Sequence, residues 1–419
     1  MIVVLVSLIL GALIAFYFYL TRNYKYWQKR EVPYVDGALP RFDNMLSVIC
    51  MKTHIADFYC KIYKDNKGHN MVGIYDFTSP ALMIIKPALV KMILQTYFSS
   101  FVENAFSSMR LKILLESIKK VCATMENYLS NKETEFELKS LFSKYSAQVV
   151  AVASFDIDGY CFDDDKKDVS FRKLGQAIFL KLDLIPKHVD NFFRTLVAEL
   201  MEQKRKDGIL RNDFLHLMAE LERTEGDKFD NEMLTGQAMS FVLNGYETSS
   251  SVMSFVGFYL THYSKIQEKL HEEMVSVLNK YDSEITYEGL REITYMDQII
   301  NETMRLVSAV LLMKRRCTQE FELKGSNGVV CRVTPGMKIL ISVQAVHKDP
   351  QYWENPEEYD PERFDSDRKH NIDRFFLPFF VIVRKYKLEL SPKMQMPLKL
   401  IPGIILPTPK GLWAYFRQP

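Results

Sequence analysis

The sequence predicts a mostly helical α+β body with a small β portion, set behind one N-terminal transmembrane helix. Three observations carry this reading. Residues 1–20, MIVVLVSLILGALIAFYFYL, contain no charge. From about residue 105 to 280, apolar residues recur at three- and four-residue spacing, as amphipathic helices require. Strand-like runs are confined to the early and late parts of the chain. The composition of the 419 residues, 47% hydrophobic and 25% charged, is that of a globular protein and excludes a disordered or fibrous chain. Lys+Arg at 54 against Asp+Glu at 52 leaves a net charge of +2, which excludes a nucleic-acid binder with a broad basic face.

At about 1.5 Å per helical residue, residues 1–20 reach roughly 30 Å, the thickness of a hydrocarbon core. Arg22, Lys25, Lys29 and Arg30 follow at once, and positive charge on that flank keeps it in the cytosol with the bulk of the chain. Tyr17, Tyr19, Tyr24, Tyr26 and Trp27 cluster where an interfacial aromatic belt would sit. A cleaved secretory signal would start basic, carry a shorter apolar run and end on small residues. This segment does none of these, so it reads as a retained single-pass anchor. Residues 21–40 form a basic link in which Pro33, Gly37 and Pro40 predict a stiff, non-helical connection. Residues 41–419 read as one domain.

Within that domain NMVGIYDF and ALMIIK predict early strands, while FELKGSNGVVCRVTPG and KILISVQAV predict late ones. SSMRLKILLESIKKVCATMENYL, VDNFFRTLVAELMEQKRKDG and NDFLHLMAELE predict helices. Asn231 to Lys280 contains no proline and reads as one helix roughly 70 Å long. DDDKKD at 163–168 reads as a solvated loop. The six cysteines form no CxxC pair and no dense disulfide framework; they read as reduced thiols on the cytosolic side, with no structural zinc and no other metal site.

Chemistry-bearing motifs lie in the second half. NGYETSSS places Gly245, Glu247 and Thr248 inside the long helix. Glycine weakens a helix and hydroxyls compete for its carbonyls, so a local bulge opening a groove is expected there. A carboxylate beside an alcohol could pass protons to something lying in that groove. The plainer alternative is a polar turn interrupting a helix. In INETMRLV, Glu302 and Arg305 are three apart on one helical face and can pair. KRRCTQEFEL, VTPGMKILISVQAVHKDP and NPEEYDPERFD follow in order, and Arg363 of P-E-R-F can complete a largely buried triad on Glu302.

This ordered set resembles a microsomal cytochrome P-450, most similar to the insect-type detoxification branch. The matched elements are the anchor and proline link, G-x-E-T, E-x-x-R, H-x-D-P and P-E-R-F, with YKLELSPKMQMPLK standing for the terminal strands. The resemblance implies the P-450-like fold and a haem-thiolate monooxygenase inserting one oxygen atom into small lipophilic substrates. It implies electrons from an NADPH-dependent reductase at the endoplasmic reticulum membrane. It assigns Gly245, Glu247 and Thr248 to the oxygen side of a haem, with Glu247 and Thr248 supporting proton delivery. Glu302, Arg305 and Arg363 become the structural triad, and Arg315 a candidate contact for a haem propionate.

The sequence departs from the family around the cofactor. The family holds its iron through a cysteine in F-x-x-G-x-R-x-C-x-G, and that thiolate favours O–O cleavage. Here RFFLPFF, ending at Phe380, is followed directly by VIVRKYKLELS, and no cysteine occurs after Cys331. By the family pattern the loop and most of the next helix are absent. Cys317 and Cys331 lie in segments the family uses as strands away from the iron. The W-x-x-x-R element expected near residues 98–106 is missing as well, because the only tryptophans are Trp27, Trp353 and Trp413. A further shortening falls between Phe179 and Val189. Two readings of the literal chain stand: a monooxygenase by descent, or a haem-less, inactive product of that lineage, the second being the one its missing ligand favours.

Overall fold

Short alternating runs build the β portion, and long amphipathic runs build the helices. The computed structural model describes residues 10–12, 14–19, 25–35, 48, 52–76, 79–96, 111–130, 134–166, 170–179, 186–207, 231–308, 310–365, 382–394, 396, 400–401, 408–409 and 411–418. In chain order the elements are α1 (Ile55–Asp65), β1 (Met71–Asp76), β2 (Ser79–Ile84), α2 (Pro87–Lys91), α3 (Leu111–Ser130), β3 (Glu135–Glu137), α4 (Leu138–Phe155), α5 (Phe171–Phe179) and α6 (Lys187–Asp207). They continue with α7 (Asn231–His262), α8 (Ser264–Lys280), α9 (Tyr287–Glu292), α10 (Thr294–Leu306), β4 (Leu312–Arg316), β5 (Phe321–Lys324), β6 (Val330–Val333), β7 (Lys338–Ser342), α11 (Val343–His347), β8 (Lys387–Leu390) and β9 (Trp413–Arg417). The chain divides into two compact units. One is Met1–Ala105 with Val310–Glu358 and Ile401–Pro407; the other is Phe106–Ala309 with Tyr359–Leu400 and Thr408–Pro419.

The first unit is organised by a sheet in the order β1-β2-β7-β4, antiparallel except for the parallel pair β2–β7. Alternation sends Val72, Ile74, Ala81, Met83 and Leu340 to one face, where Tyr59, Ile62 and Tyr63 of α1 cover them. Leu82, Ile84, Ile339 and Ile341 face the other way, onto Trp27 and the β5–β6 hairpin. Trp27 is buried, its indole N–H donates to the Ile74 carbonyl at 2.9 Å, and Gly73 is placed where any Cβ would enter its ring. Gly73 also fixes the proline link. Its N–H donates to the Pro33 carbonyl at 2.7 Å and its carbonyl accepts from Val35 at 2.9 Å. Residues 33–35 of that link therefore lie along the free edge of β1. Asp349 of H-x-D-P, itself buried, accepts from Tyr63 Oη at 3.0 Å and from Lys67 Nζ at 2.7 Å, fastening the end of α1 to the segment after α11.

The second unit is built on α7, which packs against α4, α5, α6 and α10. Its 32 residues make it about 48 Å long. Apolar side chains around most of its circumference, including Tyr246, Met253, Phe255, Val256 and Leu260, are buried in two core clusters. Glu137 caps α4 by accepting from the Ser140 N–H at 2.6 Å, and Asp156 ends it at φ 56°. A small sheet, β3-β9-β8, closes the unit.

Several sequence expectations change here. The stretch from Asn231 to Lys280 is two helices, broken at Tyr263 (φ −117°, ψ 75°) without proline or glycine. Gln267 rewards the break: its side-chain amide donates to the carbonyls of Leu260 at 3.1 Å and Leu388 at 3.0 Å, and its Oε1 accepts from Leu388 N–H at 2.7 Å. One side chain thus satisfies an orphaned helix carbonyl and the edge of β8. KILISVQAV is a strand only through Ser342, after which Val343–His347 is helical. The helix NDFLHLMAELE and part of the link fall outside the described residues. So does most of the 1–20 anchor, of which residues 10–12 and 14–19 are helical, with Phe16, Tyr17, Phe18 and Tyr19 exposed. Among the described residues no helix is long and apolar enough to cross a membrane.

Candidate functional site

Gly245, Glu247 and Thr248 sit on α7, and the expected bulge does not form: the helix is regular α through the whole of NGYETSSS. The hydroxyls bond back to the helix without deforming it. Thr248 Oγ1 donates to the Asn244 carbonyl, Ser250 Oγ to the Glu247 carbonyl at 3.1 Å and Ser254 Oγ to the Ser250 carbonyl at 2.6 Å. A Cβ on Gly245 would meet Val150 of α4 at 3.0 Å, so this glycine sets the close approach of two helices.

Glu247 is buried and committed. Its Oε1 lies 2.8 Å from Lys139 Nζ, and the same ammonium donates to Ser250 Oγ at 2.6 Å and Ser251 Oγ at 3.0 Å. Three acceptors thus meet the three ammonium protons. Burial pushes the Lys139 pKa down, and the Glu247 carboxylate opposes that shift. Sequence reasoning missed Lys139. Its position in the first turn of α4, among apolar neighbours, was the available signal.

Glu302 and Arg305 form the second buried cluster, fixed by their spacing on α10. Arg305 Nε donates to Glu302 Oε2 at 2.7 Å and Nη2 to Oε1 at 2.8 Å, a two-pronged contact with both side chains essentially excluded from solvent. Arg363 Nε approaches Glu302 Oε1 at 3.5 Å, and the Asp360 N–H donates to that oxygen at 2.9 Å. The structure therefore brings Glu302, Arg305 and Arg363 together, joining α10 to the 3-10 turn Pro361–Phe364. Arg315 lies in the first unit, on β4 opposite Ile339, with Nη1 donating to the Lys314 carbonyl at 3.1 Å.

The cysteines decide whether the chain can offer sulfur to an iron. Cys60, Cys122, Cys161, Cys317 and Cys331 are all free. Burial raises every one of these thiols, Cys122 and Cys161 to about 12 and Cys331 to about 11. Cys161 Sγ donates to the Gly159 carbonyl at 3.3 Å and Cys317 Sγ to the Gln319 carbonyl at 2.9 Å. Cys122, Cys161, Cys317 and Cys331 are packed into core clusters, where burial favours the protonated thiol despite Arg172 near Cys161 and Arg30 near Cys331. The described cysteines do not fit haem-thiolate ligation. Cys50 and the stretch from RFFLPFF to Val381 lie outside the described residues. Directly after it, Ile382 and Val383 are buried in a core cluster, and Lys385 pairs with Glu126 of α3. Among the described residues no group of three His, Cys, Asp or Glu side chains could hold a metal.

Comparison with known proteins places these features. A family model described as Cytochrome P450 matches residues 100–381. The chain is 26% identical to cytochrome P450 9e2 of Blattella germanica over 86% of this chain and 83% of that protein. It is 27% identical to cytochrome P450 6j1 of the same organism, with coverages of 90% and 86%. It is 25% identical to cytochrome P450 6a2 of Drosophila melanogaster, with coverages of 96% and 97%. That last alignment runs over 501 positions, against about 402 residues in the 96% of this 419-residue chain that it covers. With the family model spanning well over half of the sequence, the chain belongs to the cytochrome P450 family.

Proposed function

We propose that this chain is a haem-free, catalytically silent product of a microsomal P450 lineage. The lineage's activity is that of a haem-thiolate monooxygenase, inserting one oxygen atom into small lipophilic substrates with electrons from an NADPH-dependent reductase at the endoplasmic reticulum membrane. An uncharged N-terminal segment with a basic flank supports a single-pass anchor there, with residues 41–419 in the cytosol. Haem is the cofactor the family expects.

One observation carries the proposal: no cysteine follows Cys331, so the position where the family ligates iron offers no sulfur. The surplus of aligned positions over chain residues supports internal loss relative to complete relatives. The burial of the described thiols supports the view that no other cysteine replaces the ligand. Glu247, Thr248 and Gly245 then serve the packing of α7 and α4, and Arg315 has no propionate to hold. Glu302, Arg305 and Arg363 keep their architectural role.

The test is a carbon-monoxide difference spectrum of the reduced, purified 419-residue chain. The expected result is no thiolate-type Soret band after haem supplementation, and such a band would overturn the proposal. Family membership favours a second reading for the gene, in which a longer product carries the ligand loop and the activity. Amplifying the transcript across the codons for Phe379 to Val381 decides it, since an inserted cysteine-bearing segment assigns monooxygenation to that longer product.

A further inference from the structure

The chain contains two Asn-Gly pairs, Asn244-Gly245 and Asn327-Gly328, and both asparagines are exposed. Such a pair carries its own electrophile and nucleophile: the side-chain Cγ, and the next backbone nitrogen, which glycine leaves unobstructed by any side chain. Sequence alone does not separate the two pairs, but their surroundings differ.

Asn244 lies inside α7, which is regular α on both sides of it, so the Gly245 N–H belongs to the helix ladder. The next residues, Tyr246 and Glu247, are buried, and a Cβ on Gly245 would meet Val150 of α4 at 3.0 Å. Turning the Gly245 nitrogen onto Asn244 Cγ would break α7 where it packs against α4, an opening of the costliest kind.

Asn327 lies at the tip of the β5–β6 hairpin, in a turn closed by the Gly328 N–H on the Gly325 carbonyl at 3.1 Å. Gly328 is exposed at φ 81°, and a Cβ there would have nothing within 4 Å. This tip can open while the ladder of the hairpin stays paired, at small cost. Asn327 Oδ1 accepts from the Val329 N–H at 3.3 Å and touches the carboxamide of buried Asn70 at 2.5 Å. A donor on this oxygen stabilises the charge that gathers there when Cγ is attacked.

We propose that Asn327 is a spontaneous modification site of the folded chain, converted to aspartate and isoaspartate through a cyclic imide, while α7 holds Asn244 inert. The Gly328 nitrogen gives its proton to solvent and bonds to Asn327 Cγ. The Cγ–Nδ2 bond breaks, and the amide leaves as ammonia. Water then opens the ring at either carbonyl: attack at Cγ gives aspartate, and attack at the main-chain carbonyl gives isoaspartate. One water is consumed and one ammonia released, with no oxidant, metal or cofactor. Both products place a new negative charge at the hairpin tip, and isoaspartate lengthens the turn by one main-chain methylene.

The test is site-resolved mass spectrometry of the full-length chain, aged in detergent in warm, mildly alkaline buffer. Conversion at Asn327 should run at least tenfold faster than at Asn244. In the urea-unfolded chain the two rates should come together, because only the fold distinguishes them. Asn327→Gln should slow loss of ammonia at that position at least tenfold, since the longer side chain has to close a larger ring, and Asn244→Gln should leave conversion at Asn327 unaltered. Equal rates at the two sites in the folded chain, faster conversion of Asn244, a rate difference that persists in urea, or an intact Asn327 in the folded chain after the unfolded one has reacted would each overturn the proposal. The measurement is independent of haem. A thiolate Soret band would end the reading above and leave this one standing.

Discussion

Glu302 and Glu247 are both buried carboxylates on helices of the second unit, yet their counter-charges come from different places. Glu302 takes Arg305 from its own helix, one turn away, in a two-pronged contact, and adds Arg363 and a backbone N–H. Glu247 takes Lys139 from a different helix, and two serine hydroxyls complete that ammonium's shell. In the first cluster the anion collects donors; in the second the cation collects acceptors. The described cysteines supply the contrast to both: burial outweighs the cations nearest them, such as Arg172 near Cys161 and Arg30 near Cys331, and favours the protonated thiol. In both clusters a buried charge sits beside an opposite one.

The largest effect should come from breaking the first cluster. Arg305→Met leaves Glu302 buried with one distant guanidinium, and loss of one partner of a buried pair costs about 3–5 kcal/mol. Chemical denaturation of the variant checks this, and a loss below about 1 kcal/mol would mean that Arg363 alone suffices. The second cluster should answer more gently. Lys139→Met is expected to cost about 2–4 kcal/mol, because Glu247 is nearer the surface and can be partly rehydrated. Adding Glu247→Leu should recover most of that loss, and the resulting coupling energy measures the pair directly. Additive losses would show that Lys139 acts through the serines and not through the carboxylate.

The contrast between the clusters also explains what could be read from the chain beforehand. Glu302 and Arg305 were legible because both lie on one helix at a spacing that makes them touch, and Arg363 because P-E-R-F supplied an arginine in a turn. The strands of the first unit were legible from two-residue alternation, as in MVGIYD. The pairing of Lys139 with Glu247 was not legible: a lysine among apolar neighbours hints at burial, but no local pattern says which helix will lie against Glu247. The break at Tyr263 was hidden for the same reason: its reward is Gln267 reaching Leu388, a contact made only after folding. The bulge at NGYETSSS was expected from glycine and hydroxyl content. Close packing of Gly245 on Val150 favours a regular helix there, and tertiary contact outweighed local propensity.

A third prediction sharpens the place of the cysteines. Cys122, Cys161 and Cys331 have folded pKa values of about 12, 12 and 11 against an ordinary 9.0. A group whose folded value is raised keeps its full contribution below the unfolded value and loses it as pH climbs above that. Unfolded thiols ionise from about pH 8 upward, so the unfolded state gains while the folded state stays protonated. Summed over these three, stability should fall by about 1 kcal/mol between pH 8 and pH 9 and more steeply beyond. Denaturation midpoints across that range test it. Flat stability would mean that at least one thiol already ionises in the folded protein, which would reopen the question of a sulfur ligand.

The smallest effect is expected at Thr248, and it separates a packing role from a proton-handling one. Its hydroxyl donates to the Asn244 carbonyl one turn back on the same helix, a local bond that competes with the helix ladder and contributes little. Valine has the same branched shape, so Thr248→Val should change stability by less than about 0.5 kcal/mol. On the haem-free reading proposed above, it should also leave NADPH consumption and peroxide formation at background. If the substitution instead shifted peroxide release in the presence of a reductase, Thr248 would be meeting a bound oxidant. The oxygen-side assignment of Thr248 would then stand against the haem-free reading.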